Sequence, residues 1–285
     1  MKRRAFLLGL GASAAAPATL AAGAPDLSVG VGEIERRAGG RLGVAVLSSD
    51  GRRFVHRGDE RFPMCSTFKA LAAAAVLKRV DAGALSLERK IAFGHADLLD
   101  YAPATRAHVH EGAMGLGDLC AAAIRLSDNT AANLILRALG GPQAVTELAR
   151  SLGDEATRLD RDEPALNSAI PGDPRDTTTP MAMARDLREL IIGEALSDAS
   201  RRRLEAWMIA SETGAKRLRA GLPPNWGVGD KTGSGENGAT NTIAIFRPPR
   251  RAALFVAVYL VETGGSREER DAVHRDVAKL IAETF

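Results

Sequence analysis

The chain has 285 residues, 45% hydrophobic and 26% charged, which is the balance of a globular protein with room for one large or two modest domains and excludes a disordered or fibrous chain. Its net charge of +3 comes from 38 basic and 35 acidic residues, and three of the basic ones, Lys2, Arg3 and Arg4, lie in an N-terminal segment set aside below. Without them the balance is zero, which gives no support for a nucleic-acid or membrane-surface partner.

Lys2, Arg3 and Arg4 precede an apolar run over 6–20, the layout of a signal peptide. The paired arginines followed by Ala5, Phe6 and Leu7 resemble a twin-arginine signal, read by the route that exports folded proteins; the general export route is the alternative. Cleavage is expected between Ala21 and Pro25, so residues 1–25 are assigned to the leader. The run is short for a spanning helix, and no cysteine near its end offers a lipid anchor. The expected location is periplasmic or secreted, with the export machinery as a transient partner. In that oxidising setting Cys65 and Cys120 must be considered as a pair. Cys120 lies in the apolar helical stretch GLGDLCAAAI, where a buried free thiol is the usual occupant, so no disulfide is expected.

The segment RLGVAVLSSD over 41–50 ends in Asp-Gly before RRFVHRG and predicts a hairpin. Helix-length apolar spacing follows over 68–80, 116–126, 130–139, 142–152, 180–192 and 200–210. Arg201, Arg202 and Arg203 form the longest basic run and suit a solvated helix face. The stretch 158–179 has no clean period, contains Pro164, Pro171 and Pro174, and is too long for a casual turn. After Gly221 come three strand-like runs, GVGDKTG, TNTIAIFRP and AALFVAVYLV, and a closing helix over 267–284. Strands at both ends around a helical middle predict an α/β fold. Residues 27–63 and 211–285 would build one antiparallel sheet flanked by helices, and 64–210 an inserted all-α domain carrying the 158–176 loop. The active site is expected at the seam.

Three residue groups carry chemistry. Ser66-Thr67-Phe68-Lys69 opens the first helix of the block, and a spacing of three puts Ser66 and Lys69 on one face. A serine hydroxyl is a poor nucleophile until a neighbour takes its proton, and a desolvated lysine can do so. Alone this motif is weak, because a capping serine beside a solvated lysine looks the same. Ser127-Asp128-Asn129 stands at a helix boundary, and Lys231-Thr232-Gly233 lies on a strand directly before Ser234 and Gly235. Each triplet is bland by itself; their joint presence in this order is not.

Ser-x-x-Lys, Ser-Asp-Asn and Lys-Thr-Gly together resemble the motif set of the penicillin-recognising serine enzymes, and the resemblance runs from about Leu27 to the end. The loop sequence Arg161-Asp162-Glu163-Pro164-Ala165-Leu166-Asn167 resembles the Glu-Pro-x-Leu-Asn segment of the class A serine β-lactamases, which transpeptidases lack. The resemblance implies a β-lactamase/transpeptidase-like fold and a monomeric hydrolase that opens β-lactam antibiotics, and so confers resistance to them, with no cofactor and no metal. It implies Ser66 as nucleophile and the backbone N–H groups of Ser66 and Ser234 as oxyanion hole. Lys69, or Glu163 through a water, is the base for acylation. Glu163 and Asn167 hold the deacylating water. Ser127, helped by Lys231, protonates the departing nitrogen. Thr232, Gly233 and Ser234 bind the substrate carboxylate together with Lys231. Arg217 is expected to join them, with Arg219 as fallback, since the strand after Lys-Thr-Gly has no arginine before Arg247. Asn129 is assigned to the substrate amide, Tyr101 to the cleft wall or to a structural role, and Arg161 with Asp176 to the neck of the loop.

Rival readings are few. His108-Val109-His110 hints at zinc, but only five histidines exist and no spacing supplies three ligands in one motif. A D,D-peptidase shares the three motifs and lacks the Glu163 segment. A non-enzymatic β-lactam sensor would normally be tethered by a membrane segment.

Overall fold

The computed structural model describes residues 27–285; the leader assigned to residues 1–25 lies outside the described residues. Helix α1 (Leu27–Ala38) leads into the hairpin β1 (Arg41–Ser48) and β2 (Arg53–His56), and β3 (Phe62–Pro63) precedes helix α2 (Phe68–Asp81). Then come β4 (Lys90–Ala92), α3 (Pro103–Ala107), β5 (Ala113–Gly115), α4 (Leu116–Arg125), α5 (Asn129–Leu139) and α6 (Gln143–Ser151). The long loop ends at β6 (Thr177–Thr178), followed by α7 (Pro180–Ile192), α8 (Asp198–Ile209), β7 (Gly227–Ser234), β8 (Thr240–Arg247), β9 (Leu254–Val261) and α9 (Arg267–Thr284).

Both chain ends meet in one five-stranded sheet ordered β2-β1-β9-β8-β7, antiparallel throughout. The sequence of β9, LFVAVYLV, is apolar at every position because both its faces are covered. Leu254, Val256, Val258 and Leu260 join a core with α1 and α9, while Phe255, Ala257, Tyr259 and Val261 join the core of the helical block. Strand period two sorts these side chains to opposite faces. Helix α2 is buried from Phe68 to Leu77, and its run of alanines lets neighbouring helices pack close around it. The nucleophile turn is therefore mounted on the most enclosed helix of the block.

The structure departs from the sequence expectation in two places. Helix α1 was not foreseen, because Gly30 and Gly32 weaken its helical signature. Gly30 is explained by packing: a Cβ there would sit 2.6 Å from Leu280 Cδ1 on α9. The block over 64–210 is also not wholly helical, since β4 pairs with β5, and β6 pairs with β3 at the root of the long loop.

At that root two carboxyl groups meet out of water. Asp154 accepts the amides of Ala156 and Thr157, and Asp186 is buried on α7; the Oδ2 atom of each carboxyl group is buried with no hydrogen-bond partner among the described residues. Burial first, and then repulsion from Asp154, pushes Asp186 up to about 9, while the charge of Arg150 pulls the other way. The folded state thus holds a proton that the unfolded chain releases in the ordinary carboxylate range. This stabilisation is complete at low pH and is lost as pH rises through about 9. Thermal unfolding followed across pH 5 to about 10 is expected to show a falling midpoint, and Asp186→Asn to flatten that fall. Identical pH profiles for parent and variant would contradict a proton held on Asp186.

Candidate active site

Ser66 sits in a tight 3₁₀ turn, Cys65–Thr67, that runs into the start of α2. The residue before it, Cys65, is held at φ 45°, a left-handed conformation costly for a side chain with a Cβ. The turn is over-determined by its neighbours. Thr67 Oγ1 donates to Met64 O at 2.8 Å, and Asn241 Nδ2 on β8 donates to Pro63 O at 2.8 Å and Met64 O at 3.2 Å. Strand β7, at the edge of the sheet, lies against the same turn. A Cβ at Gly233 would fall 2.9 Å from Met64 O and 3.2 Å from Ser66 N, so only glycine allows the approach. This brings Ser234 beside Ser66, where the sequence places the two oxyanion N–H groups.

The motif residues converge on Ser66. Lys69 Nζ lies 2.9 Å from Ser66 Oγ, 2.9 Å from Ser127 O, 2.6 Å from Asn129 Oδ1 and 2.9 Å from Glu163 Oε1. Ser66 Oγ is 3.2 Å from Glu163 Oε1, so both candidate bases reach its proton. The side chains of Lys69 and Glu163 are fully buried. An ammonium has three N–H donors, and the pure acceptors on Ser127, Asn129 and Glu163 already match that number. Burial lowers the Lys69 pKa, with Glu163 the chief opposing influence. Lys231 Nζ donates to Ser127 Oγ at 3.0 Å and to Thr232 O at 2.6 Å. Burial, then repulsion from Lys69, pulls Lys231 well below the usual lysine range. Ser127, held at φ 61°, thus lies between two buried amines.

The loop that brings Glu163 is tied down at its neck and its tip. Asp176, fully buried, accepts the amides of Asp160 and Arg161 and the Arg161 guanidinium at 2.5 Å, as expected for the neck pair. Asn133 on α5 clasps Glu163 from both sides, accepting its amide at 2.9 Å and donating to its carbonyl at 2.8 Å. Asn167 Nδ2 donates to Glu163 Oε2, and Asn167 Oδ1 is buried without a partner among the described residues. At the tip, Asn237 Nδ2 donates to Ser168 O and Ala169 O, and Glu236 N to Asn167 O, joining the loop to the β7–β8 turn.

A cleft of about 370 Å³ opens over this cluster, lined by Ser66, Ser127, Asn129, Asn167, Thr232, Gly233 and Ser234. Arg217 lines it and donates to Ser234 Oγ at 2.7 Å, whereas Arg219 pairs with Asp230 at 2.5 Å and does not line it. Of the two, Arg217 and not the fallback is therefore at the site, where Arg267 and Arg270 also line the cleft. Tyr101 stands on the cleft wall 53% exposed, and its carbonyl accepts the amide of Asn129. Cys65 and Cys120 are free and buried, and burial pushes the Cys65 thiol up to about 12, so it stays protonated beside the nucleophile. His108 is exposed and paired with Glu111, and among the described residues no group of three or more His, Cys, Asp or Glu is arranged to hold a metal.

Sequence reasoning missed several residues. Asn133 left one signal: it is the amide four residues after Asn129, on the same helix face, within an apolar run. Thr213, whose hydroxyl lies 2.6 Å from that of Thr232, and Asp271, which holds Arg217, left none, because both reach the site only through the tertiary fold.

A buried serine joined to a desolvated amine and a carboxylate, with a second serine linking that amine to another, beside a cleft with anion-binding donors, defines a serine hydrolase working through an acyl intermediate. Comparison with known proteins gives the family. A sequence profile of the Beta-lactamase enzyme family matches residues 27–285. Beta-lactamase CTX-M-8 of Citrobacter amalonaticus is 47% identical over 269 residues, spanning 94% of this chain and 92% of that relative. Beta-lactamase OXY-1 of Klebsiella oxytoca is 45% identical over 278 residues, with 95% of each covered. Among solved structures, an ancestral (GNCA) class A beta-lactamase is 60% identical with a TM-score of 0.90, covering 91% of this chain and all of that one. The putative class A beta-lactamase PenP from Rhodopseudomonas palustris is 53% identical with a TM-score of 0.89, covering 91% and 99%. The chain belongs to the class A beta-lactamases.

The neck pair generates a prediction. Asp176→Asn removes the charge facing Arg161 and weakens three hydrogen bonds in a buried position, which is expected to cost roughly 2–4 kcal/mol. Calorimetry should show a midpoint lowered by several degrees together with a reduced turnover number. An unchanged midpoint would mean that the loop does not depend on its neck.

Proposed function

We propose that the protein hydrolyses β-lactams through an ester on Ser66, with deacylation driven by Glu163; the observation that carries this reading is the Ser66–Lys69–Glu163 cluster, three side chains within 3.2 Å of one another in a buried site. The lactam carbonyl sits over Ser66 with its oxygen toward the N–H groups of Ser66 and Ser234, which stabilise the oxyanion as it forms. Ser66 Oγ bonds to the carbonyl carbon, and its proton passes to the Lys69–Glu163 pair, both members of which reach it. The ring C–N bond then breaks, and the nitrogen takes the Ser127 proton; Ser127 regains one from Lys69, 3.5 Å away, which returns the pair to its starting state, while Lys231 at 3.0 Å holds the Ser127 hydroxyl in place. In the second half, a water gives its proton to Glu163 and its oxygen to the ester carbon, and Ser66 Oγ leaves and recovers a proton. Asn167 supports this step twice, holding Glu163 Oε2 with its amide and offering the unpartnered Oδ1 to the water. Lys231, Thr232, Ser234 and Arg217 are assigned to the substrate carboxylate, Asn129 to its amide side chain and Tyr101 to the cleft wall. Steady turnover, rather than a held adduct, separates this reading from a D,D-peptidase or a sensor, and it would confer resistance to these antibiotics.

In Glu163→Ala, deacylation is expected to slow by roughly 10²- to 10⁴-fold. Intact mass after mixing with a penicillin should then show an adduct of substrate mass on Ser66. Steady hydrolysis by that variant at the parent rate would exclude the assigned role.

We further infer that residues 1–25 direct export through the folded-protein route to the periplasm or medium, where the protein acts as a monomer. The support is the sequence Lys2-Arg3-Arg4 before the apolar run. Replacing Arg3 and Arg4 by lysine should leave the protein inside the cell in a fractionation experiment; export undiminished would assign it to the general route.

A further inference from the structure

Strands β4 and β5 carry a register that continues past their ends. Lys90 pairs with Gly115, Ile91 with Met114 and Ala92 with Ala113, and the amide of Phe93 donates to Gly112 O at 3.0 Å. Carried on to the next residues, the same count sets His95 opposite His110. Their rings lie 5.4 Å apart, centre to centre, at 68° to each other. Both residues are exposed, and neither lines the cleft over Ser66.

The backbone under each ring is held. His95 opens the turn His95–Asp97, in which Gly94 N donates to Asp97 Oδ2 at 2.8 Å and Leu98 N to His95 O at 3.2 Å. His110 is the middle residue of the turn Val109–Glu111, closed by Gly112 N donating to Val109 O, with Gly112 in the left-handed region at φ 71°. Phe93 and Val109 are buried and anchor the two turns in the core of the helical block. His108 is engaged elsewhere, with Nδ1 2.7 Å from Glu111 Oε1. The two histidines of His108-Val109-His110 are thus split, one facing a carboxylate and the other a histidine on the opposite segment.

Neutral imidazole is a preferred ligand of late first-row divalent ions such as Zn²⁺, Cu²⁺ and Ni²⁺. With a metal–nitrogen distance of about 2.1 Å and a tetrahedral angle at the ion, two coordinating rings stand roughly 5 Å apart between centres. The spacing of His95 and His110 meets that requirement, and the terminal torsion of histidine is broad, so ring rotation can turn a nitrogen of each toward one point. We propose that His95 and His110 form a two-histidine surface site for a divalent transition-metal ion, with water completing the coordination shell. Edge-to-face contact between aromatic rings also occurs at this distance, but it gains little where both rings face water. An ion held there ties the segment after β4 to the segment before β5 without burying a charge. Because the ladder fixes both ligands before the ion arrives, the second bond forms with little further loss of chain entropy. The site is separate from the ester chemistry, and no step of hydrolysis passes through it.

Isothermal titration of the untagged protein with zinc chloride tests this, on the parent, His95→Ala, His110→Ala and His108→Ala. The parent is expected to bind one ion per chain, with affinity lowered at least about tenfold in His95→Ala and in His110→Ala, and within about twofold of the parent in His108→Ala. Saturating zinc should also raise the thermal midpoint of the parent and of His108→Ala, and leave that of the other two variants in place. His95 and His110 are exposed, so neither substitution is expected to disturb folding. No saturable binding below about 1 mM zinc, parent-like affinity in His95→Ala or His110→Ala, or a loss confined to His108→Ala would overturn the proposal.

Discussion

The structure turns on one contact, the 2.9 Å approach of Lys69 and Glu163 over the hydroxyl of Ser66, with both side chains buried from bulk solvent. Two charges out of solvent cost several kcal/mol each, and close pairing alone seldom recovers that cost. Further partners are therefore needed on both sides. Lys69 is satisfied by Ser127 O and Asn129 Oδ1, and Glu163 by Asn167 and, through its backbone, by Asn133. Each partner must be delivered by a separate element: α2 carries the lysine, the start of α5 carries Asn129, and the long loop carries the carboxylate. The neck at Asp176 and the contacts at the loop tip serve this one requirement, because Glu163 moved by an ångström would leave a buried lysine unmatched.

The same requirement explains the sheet edge. Strand β7 must run close enough to the Ser66 turn for Ser234 to share in binding the oxyanion, and Gly233 allows it. Lys231 on that strand then enters the buried cluster as a second amine, and its depressed basicity follows from burial and from Lys69. Ser127 bridges the two amines, which suits a hydroxyl that must give up and recover a proton within one turnover.

Much of this was legible in the sequence, and the legible part was local. The hairpin, six helices of the block, three late strands and the closing helix follow from period and turn chemistry, because strong apolar periodicity survives tertiary context. Ser66, Lys69, Ser127, Glu163 and Lys231 were legible as motifs, each with short-range spacing. Helix α1 was not, since Gly30 and Gly32 lower its helical signature and only Gly30 is required by contact with α9. Asp271 was not, because one acidic residue in REERDAVHRD looks like any other, and only the fold shows it facing Arg217 from 54 residues away. The raised basicity of Asp186 was equally invisible, since nothing in its segment announces that it will be buried near Asp154.

The central claim is that one buried cluster both forms and releases an ester on Ser66. Rapid-quench mixing of the unaltered protein with a penicillin, followed by peptide mass analysis at millisecond intervals, tests it most directly. The account predicts a mass increase equal to the whole substrate on the peptide containing Ser66, rising before product accumulates and disappearing as substrate is exhausted. Product formed with no adduct at any time, or an adduct that persists after the substrate is gone, would contradict it.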